Sequence, residues 1–157
     1  MSDNPRSEIP TSGRLAGIDF GLSRIGIAIC DPGQQFSSPL EIYHSRSEKL
    51  DDEFFLKLVK RESLVGFVVG LPVHMSGDES EMSQAARQFG ERIGELTGLP
   101  VGFVDERYTT AMAREILSGS NLSGKKRKAQ LDKLAAQILL ATFLENRTRA
   151  NPFGELG

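Results

Sequence analysis

The sequence predicts an α/β fold in which a five-stranded mixed sheet carries helices on both faces. Three observations predict it: short apolar stretches rich in valine and isoleucine, apolar residues at helical spacing between them, and a length of 157 residues that suits one compact domain. With 39% hydrophobic and 25% charged residues, the composition is that of an ordinary globular protein. Wholly disordered chains and folds that need two full lobes are therefore excluded.

The first third of the chain predicts an antiparallel meander of three strands followed by a helix. Two apolar stretches flank a short turn at 21–24, as in a β-hairpin, and a third strand follows them. The expected strand bounds are 15–20, 25–30 and 39–43. Leu50, Phe54 and Leu58 then recur at helical spacing, which predicts a helix over 47–61.

The rest of the chain predicts further strands and helices that complete and cover the sheet. The valine-rich run 64–70 predicts a strand buried on both faces, and the helix that follows it is expected to end at Gly98. The remaining expected elements are a helix over 79–97, a strand at 101–104, a short helix over 109–117, a loop at 118–124 and a last helix beginning near Leu131.

One domain is expected over 14–146, between flexible tails at 1–13 and 147–157. No apolar run reaches the roughly 18 to 20 residues that span a bilayer, and the first ten residues lack the apolar core of a signal peptide. We therefore expect a cytoplasmic protein with no membrane partner. Because Cys30 is the one cysteine and there are two histidines, an internal disulfide is excluded and a Cys/His zinc site is not expected.

Positive charge is concentrated near the end of the chain. Residues 120–149 hold seven basic and two acidic residues, a net charge of +5 in a protein whose overall charge is −2. The densest part, here called the basic run, consists of Lys125, Lys126, Arg127 and Lys128, and is expected in a loop. Such a patch is typical of local attraction to a polyanion, although the charge alone favours a solvated surface loop.

Three acidic residues lie in or directly beside predicted apolar elements, where a carboxylate is unusual. Asp19 lies inside an apolar strand, Glu106 directly follows the 101–104 strand together with Asp105, and Asp132 belongs to the last helix. Three carboxylates at one point would repel each other, and divalent cations relieve that repulsion. Oxygen ligands favour Mg²⁺ or Mn²⁺, and a pair of such ions about 4 Å apart supports phosphodiester hydrolysis.

Each acid also has a structural alternative. Asp19 could pair with Arg24 or Arg107, since a lone buried carboxylate is costly. Glu106 or its neighbour could cap the helix that follows it, and Asp132 could be a first-turn carboxylate favoured by the helix dipole.

The ordered set of motifs resembles the YqgF-type family of pre-16S ribosomal RNA nucleases and Holliday-junction-resolvase-like nucleases. The matching segments are 17–21 with 24–28, 69–72 with Met75 and Gly77, 105–107 with Thr109 and Thr110, and 132–136. The resemblance covers nearly the whole chain and implies a ribonuclease H fold with strand order 3-2-1-4-5. It implies that Asp19, Glu106 and Asp132 are the catalytic acids and bind Mg²⁺ or Mn²⁺. Contacts to nucleic acid are expected from Arg24, Arg107, Lys125, Lys126, Arg127 and Lys128.

The function that we expect from this resemblance is metal-dependent phosphodiester hydrolysis, in processing of the 5′ end of precursor 16S ribosomal RNA. Two alternatives stay open: a resolvase-like endonuclease that cuts branched DNA, and a non-catalytic RNA-binding module of ribosome assembly. Monomer and homodimer are both compatible with the sequence. His74 departs from the asparagine that such proteins often carry there, and His44 has no assigned role.

Overall fold

The computed structural model describes residues 8–106 and 124–150, without the side chains of 124–133 and 148–150. The strands are β1 (Arg14–Phe20), β2 (Arg24–Cys30), β3 (Ser37–His44), β4 (Leu64–Leu71) and β5 (Val101–Asp105). The helices of these segments are α1 (Glu48–Glu62), α2 (Glu81–Thr97) and α3 (Gly124–Ala150). The predicted helix over 109–117 lies outside the described residues.

The strands form one sheet in the order β3-β2-β1-β4-β5, as the resemblance implied. The pairs β1–β2 and β2–β3 are antiparallel, which confirms the predicted meander. Strands β4 and β5 run parallel to β1, so the carboxyl ends of these three strands meet at one edge of the sheet. We call it the carboxyl edge; open α/β sheets present their ligand sites there.

Local side chains set the helix ends close to their predicted positions. The hydroxyl of Ser47 accepts from the Leu50 amide at the start of α1. At the start of α2, Ser80 and Ser83 form a reciprocal capping box. Helix α2 ends at Gly98, whose φ of 74° lies in the left-handed region that favours glycine.

Two hydrophobic cores lie on opposite faces of the sheet, so helices cover both faces as predicted. Helices α1 and α2 cover one face, with Phe55 and Ile93 among its buried residues. Helix α3 covers the other, here called the α3 face, where Leu139 and Leu140 pack against Leu15 and other residues of the sheet.

Helix α3 runs antiparallel to β1. The middle of α3 contacts Gly17. Near the carboxyl end of α3, Arg147 donates to the Pro10 carbonyl at 2.8 Å and to the Gln34 side chain at 3.2 Å. Because Pro10 precedes β1, the late part of α3 lies at the edge where β1 begins. The amino end of α3 therefore lies toward the carboxyl edge. The flexibility expected for the tails 1–13 and 147–157 stays a prediction. Each of these segments contributes one residue, Pro10 or Arg147, to this contact.

Two expectations about α3 are wrong. The basic run lies within α3, which begins at Gly124, and not in a loop. Lysine, arginine, alanine and glutamine are strong helix formers, which explains why the helix starts before the apolar pattern does. As a result, Asp132 is eight residues into the helix, and its interpretation as a first-turn carboxylate is excluded.

Within the described ranges 8–106 and 124–150, no helix combines the length and the apolar character that a bilayer crossing requires.

Candidate active site

Asp19 lies on the α3 face of the sheet, one residue before β1 ends. Side chains alternate along a strand, and Leu15 and Gly17 both face α3, so Asp19 is the next residue on that face. Asp19 also lines a shallow depression of about 210 Å³ at the sheet surface. The other described lining residues are Phe20, Gly21, Ser23, Arg24, Gly26 and Ile42.

Glu106 reaches the same region from the end of β5. Val104, two residues earlier, packs against α3, and Glu106 follows it on that face. The carboxyl of Glu106 occupies the space where Gly70 of β4 lacks a side chain, since a Cβ built on Gly70 would lie 2.5 Å from Oε2 of Glu106. Gly70 follows the residue that pairs with Ile18 of β1, so Glu106 is directed toward Asp19.

The pKa of the Glu106 carboxyl reflects its burial and the acids beside it. Burial, and then the negative charges of Asp19 and Asp105, raise the pKa of the Glu106 carboxyl from 4.5 to about 7. Burial contributes most to this shift, and the negative charges of Asp19 and Asp105 add to it, so three acids lie close together at the carboxyl edge.

The backbone brings position 132 to the same level of the sheet. The Ala136 carbonyl and Leu140 lie against Gly17, and helix positions four apart share one face. One turn back from Ala136 moves about 5.4 Å toward the carboxyl edge. Asp19 lies two residues beyond Gly17 in that direction, so Asp132 and Asp19 are at matching heights. The side chain of Asp132 is outside the described part, and its role stays a prediction.

These acids fit a divalent cation by their chemistry. The donors are carboxylate oxygens, which Mg²⁺ and Mn²⁺ prefer, and a cation would neutralise the charge that raises the pKa of Glu106. Among the described side chains, no group of three possible ligands closes around one point. Asp132, whose side chain lies outside the described part, has a backbone position at the level of Asp19.

In protein stripped of divalent cations, Glu106→Gln is expected to stabilise the fold at pH 8 and to change little at pH 5. A carboxyl whose pKa is raised in the folded state contributes stability at low pH and loses it as the pH rises through about 7. One pKa unit corresponds to about 1.4 kcal/mol, so the gain at pH 8 is on the order of 1–3 kcal/mol. Urea titrations of the wild type and the variant at both pH values measure this gain. Equal unfolding free energies of the two proteins at pH 8 would show that the charge of Glu106 does not destabilise the fold.

Several predicted site residues can be placed and others cannot. Arg24 lines the depression beside Asp19, whereas Arg107 and the side chains of the basic run lie outside the described part. His74 is exposed in the loop that follows β4, at the carboxyl edge. Cys30 is buried in the core of the α3 face, and its Sγ accepts from the Leu15 amide at 3.2 Å.

Gly70 is a site residue that the sequence analysis missed. Its importance comes from the close approach of Glu106 and Leu139 to a backbone without a side chain. The available signal was a glycine inside the valine-rich run of a buried strand, which often marks close approach of another group.

The whole arrangement can be compared with known proteins. The sequence profile described as "RuvX: Holliday junction resolvase" matches residues 13–146. The chain belongs to this family. Curated relatives of this RuvX-family chain include a Rhodopirellula baltica protein, 43% identical over 87% of this chain and 79% of the relative. A Neisseria gonorrhoeae protein is 44% identical over 88% of this chain and 91% of the relative. Both bear the name "Putative pre-16S rRNA nuclease".

Solved structures share the fold at low sequence identity. The RuvC protein of Thermus thermophilus in complex with a Holliday junction substrate is 16% identical, with a TM-score of 0.53 over 87% of this chain and 96% of that one. The fowlpox virus Holliday junction resolvase is 14% identical, with a TM-score of 0.50 over 85% and 99%. These similarities confirm the ribonuclease H-like fold expected for the RuvX-family chain.

Proposed function

We propose that this RuvX-family protein is a cytoplasmic, metal-dependent nuclease that hydrolyses phosphodiester bonds in precursor 16S ribosomal RNA. The observation that carries the proposal is the approach of Glu106 to Asp19 at the carboxyl edge, where burial and the neighbouring acids together raise the pKa of Glu106 to about 7. The names of the curated relatives support the choice of RNA.

In this proposal Asp19, Glu106 and Asp132 hold Mg²⁺ or Mn²⁺. The bound cation supplies activation of the attacking water and stabilisation of the leaving oxygen. The protein itself fixes the geometry: β1 and β5 are parts of one hydrogen-bonded sheet, so Asp19 and Glu106 are presented from rigid elements. The amino end of α3 lies toward the same edge, which supports a role of the basic run in contacting the substrate backbone.

Branched DNA is the second candidate substrate, because the family profile is described as a Holliday junction resolvase. The chemistry at the acids would be identical, and only the contacts outside them would differ. Recognition of RNA depends on shape and on the 2′-hydroxyl, which neither the acids nor the basic run reads specifically.

A side-by-side cleavage assay tests the proposal. Purified protein with Mn²⁺ is given a precursor ribosomal RNA fragment that contains the 5′ end of 16S, and in parallel a four-way DNA junction. We expect cleavage of the RNA that chelator abolishes. Cleavage of the junction alone would transfer the assignment to DNA, and binding of RNA without any cleavage would favour the non-catalytic assembly module.

Removing charge from the basic run is expected to weaken RNA binding regardless of sequence. Replacing Lys125, Lys126 and Lys128 with alanine should lower the slope of log affinity against log salt by about 2, since each phosphate contact to a single strand contributes about 0.7. Alanine at Lys49, Lys57 and Lys60, three exposed lysines of α1 on the opposite face, is the matched control. If both triple variants behave alike, the basic run is a solvated helix surface.

A further inference from the structure

Arg24 and His44 form a cross-strand pair at the end of the β2–β3 ladder. They are register partners, so their Cβ atoms are about 5 Å apart on the same side of the sheet. Both side chains are exposed. The Ser45 amide donates to the Ser23 carbonyl at 3.0 Å just beyond the pair, which holds the two strand ends together.

This pair lies on the α3 face, next to Asp19. Gly26 is the register partner of Asp19, and Arg24 is two residues from Gly26 along β2. Asp19 and Arg24 are therefore diagonal neighbours, about 7–8 Å apart at the backbone. The depression that Asp19 lines continues to Arg24 and to Ile42. Ile42 belongs to β3 and is the register partner of Gly26 on β2. A concave surface thus leads from Asp19 to Arg24, and His44 lies beside Arg24 as its register partner.

The charges along this surface suit a polyanion. Glu41, the acidic residue of β3, pairs with Ile27 and so belongs to the opposite face, where it binds Arg61 at 3.1 Å. An arginine fork donates two parallel hydrogen bonds to phosphate oxygens, and an imidazole N–H donates one. At the acids themselves, by contrast, negative charge repels phosphate. Arg24 and His44 would attract a phosphate that lies beside the acids.

We propose that Arg24 and His44 form a phosphate subsite for the nucleotide adjacent to the cleaved bond. The RNA strand passes from Asp19 over Gly26 toward β3, with the neighbouring phosphate between the two basic side chains. This inference rests on the proposed function, because the strand enters from the acids. It gives His44 a role as a binding residue and makes the depression part of the substrate path.

Binding measurements without metal test the subsite separately from catalysis. A fluorescein-labelled fragment of precursor 16S ribosomal RNA is titrated in chelator with the wild type, Arg24→Ala, His44→Ala, Arg24→Lys and Lys57→Ala. We expect affinity about tenfold weaker for Arg24→Ala and about threefold weaker for His44→Ala, the sizes typical of a lost charged and a lost ordinary hydrogen bond. The salt slope of Arg24→Ala should fall by about 0.7.

The controls separate recognition from structure. Arg24→Lys should recover part of the affinity and the whole salt slope, which a merely structural arginine would not do. Lys57→Ala removes an exposed charge of α1 and should bind like the wild type. If the wild type binds the RNA while Arg24→Ala and His44→Ala match Lys57→Ala, the subsite is disproved and the proposed function survives. If the wild type binds the RNA neither in chelator nor in the presence of Mn²⁺, the proposed function falls and the subsite with it.

Discussion

Asp19→Asn is expected to lower the single-turnover rate of RNA cleavage by about 10²- to 10³-fold, the loss typical of removing one group that stabilises transition-state charge. The fold should survive, because asparagine has the same shape and removes a charge that repels Glu106. The melting temperature of the metal-free variant should therefore equal or exceed that of the wild type. Cleavage rates at rising Mn²⁺ concentration, with melting curves of the same samples, measure both effects.

Asp105→Asn is the matched control, since Asp105 also raises the pKa of Glu106 but alternation along β5 directs it away from the α3 face. Its cleavage rate should stay close to that of the wild type. Losses at the acids should also be far from additive: adding Asp132→Asn to Glu106→Gln should cost little more, because the proposed site puts both in one coordination shell. A damaging Asp105→Asn beside an active Glu106→Gln would reverse the assignment of the two acids.

Gly17→Ala is expected to destabilise the fold by about 2 kcal/mol through overpacking. A Cβ at this position would lie 2.8 Å from the Leu140 Cβ and 2.9 Å from the Ala136 carbonyl oxygen, so α3 must shift away from β1. Because α3 carries Asp132, cleavage should fall as well, even where the variant is fully folded. Denaturant unfolding and cleavage of the same preparation measure the two losses.

Gly33→Ala provides the comparison, because Gly33 is exposed in the turn after β2 and the one atom near an added Cβ is Oδ2 of the Asp31 side chain, 3.1 Å away. It should change the unfolding free energy by no more than about 0.5 kcal/mol. Equal stability of the two variants would mean that α3 is not seated tightly on β1.

Much of the fold could be predicted from local patterns. The hairpin around 21–24 and the helix that begins after Ser47 each depend on neighbouring residues alone, and the structure confirms both. Asp19 could also be singled out from local sequence, because it is a carboxylate inside an apolar strand. The start of α3 was missed because its first turns carry charged residues with high helix propensity instead of an apolar stripe.

Features that depend on contacts between distant segments could not be predicted. Nothing near Gly70 in the sequence indicates that Glu106, 36 positions later, fills the space beside it. The pairing of Arg24 with His44 depends on the β2–β3 register, which a shift between Ile27 and Ala28 alters by one residue. The sequence pattern alone does not indicate where such a β-bulge occurs.

The contact of Arg147 with Pro10 has a practical consequence for handling the protein. It brings residues from near both chain ends together where β1 begins, roughly 20 Å of strand away from the carboxyl edge. A fluorescent reporter attached beside Pro10, for example at the exposed Thr11, would thus lie on the side of the sheet opposite the acids and would not obstruct them.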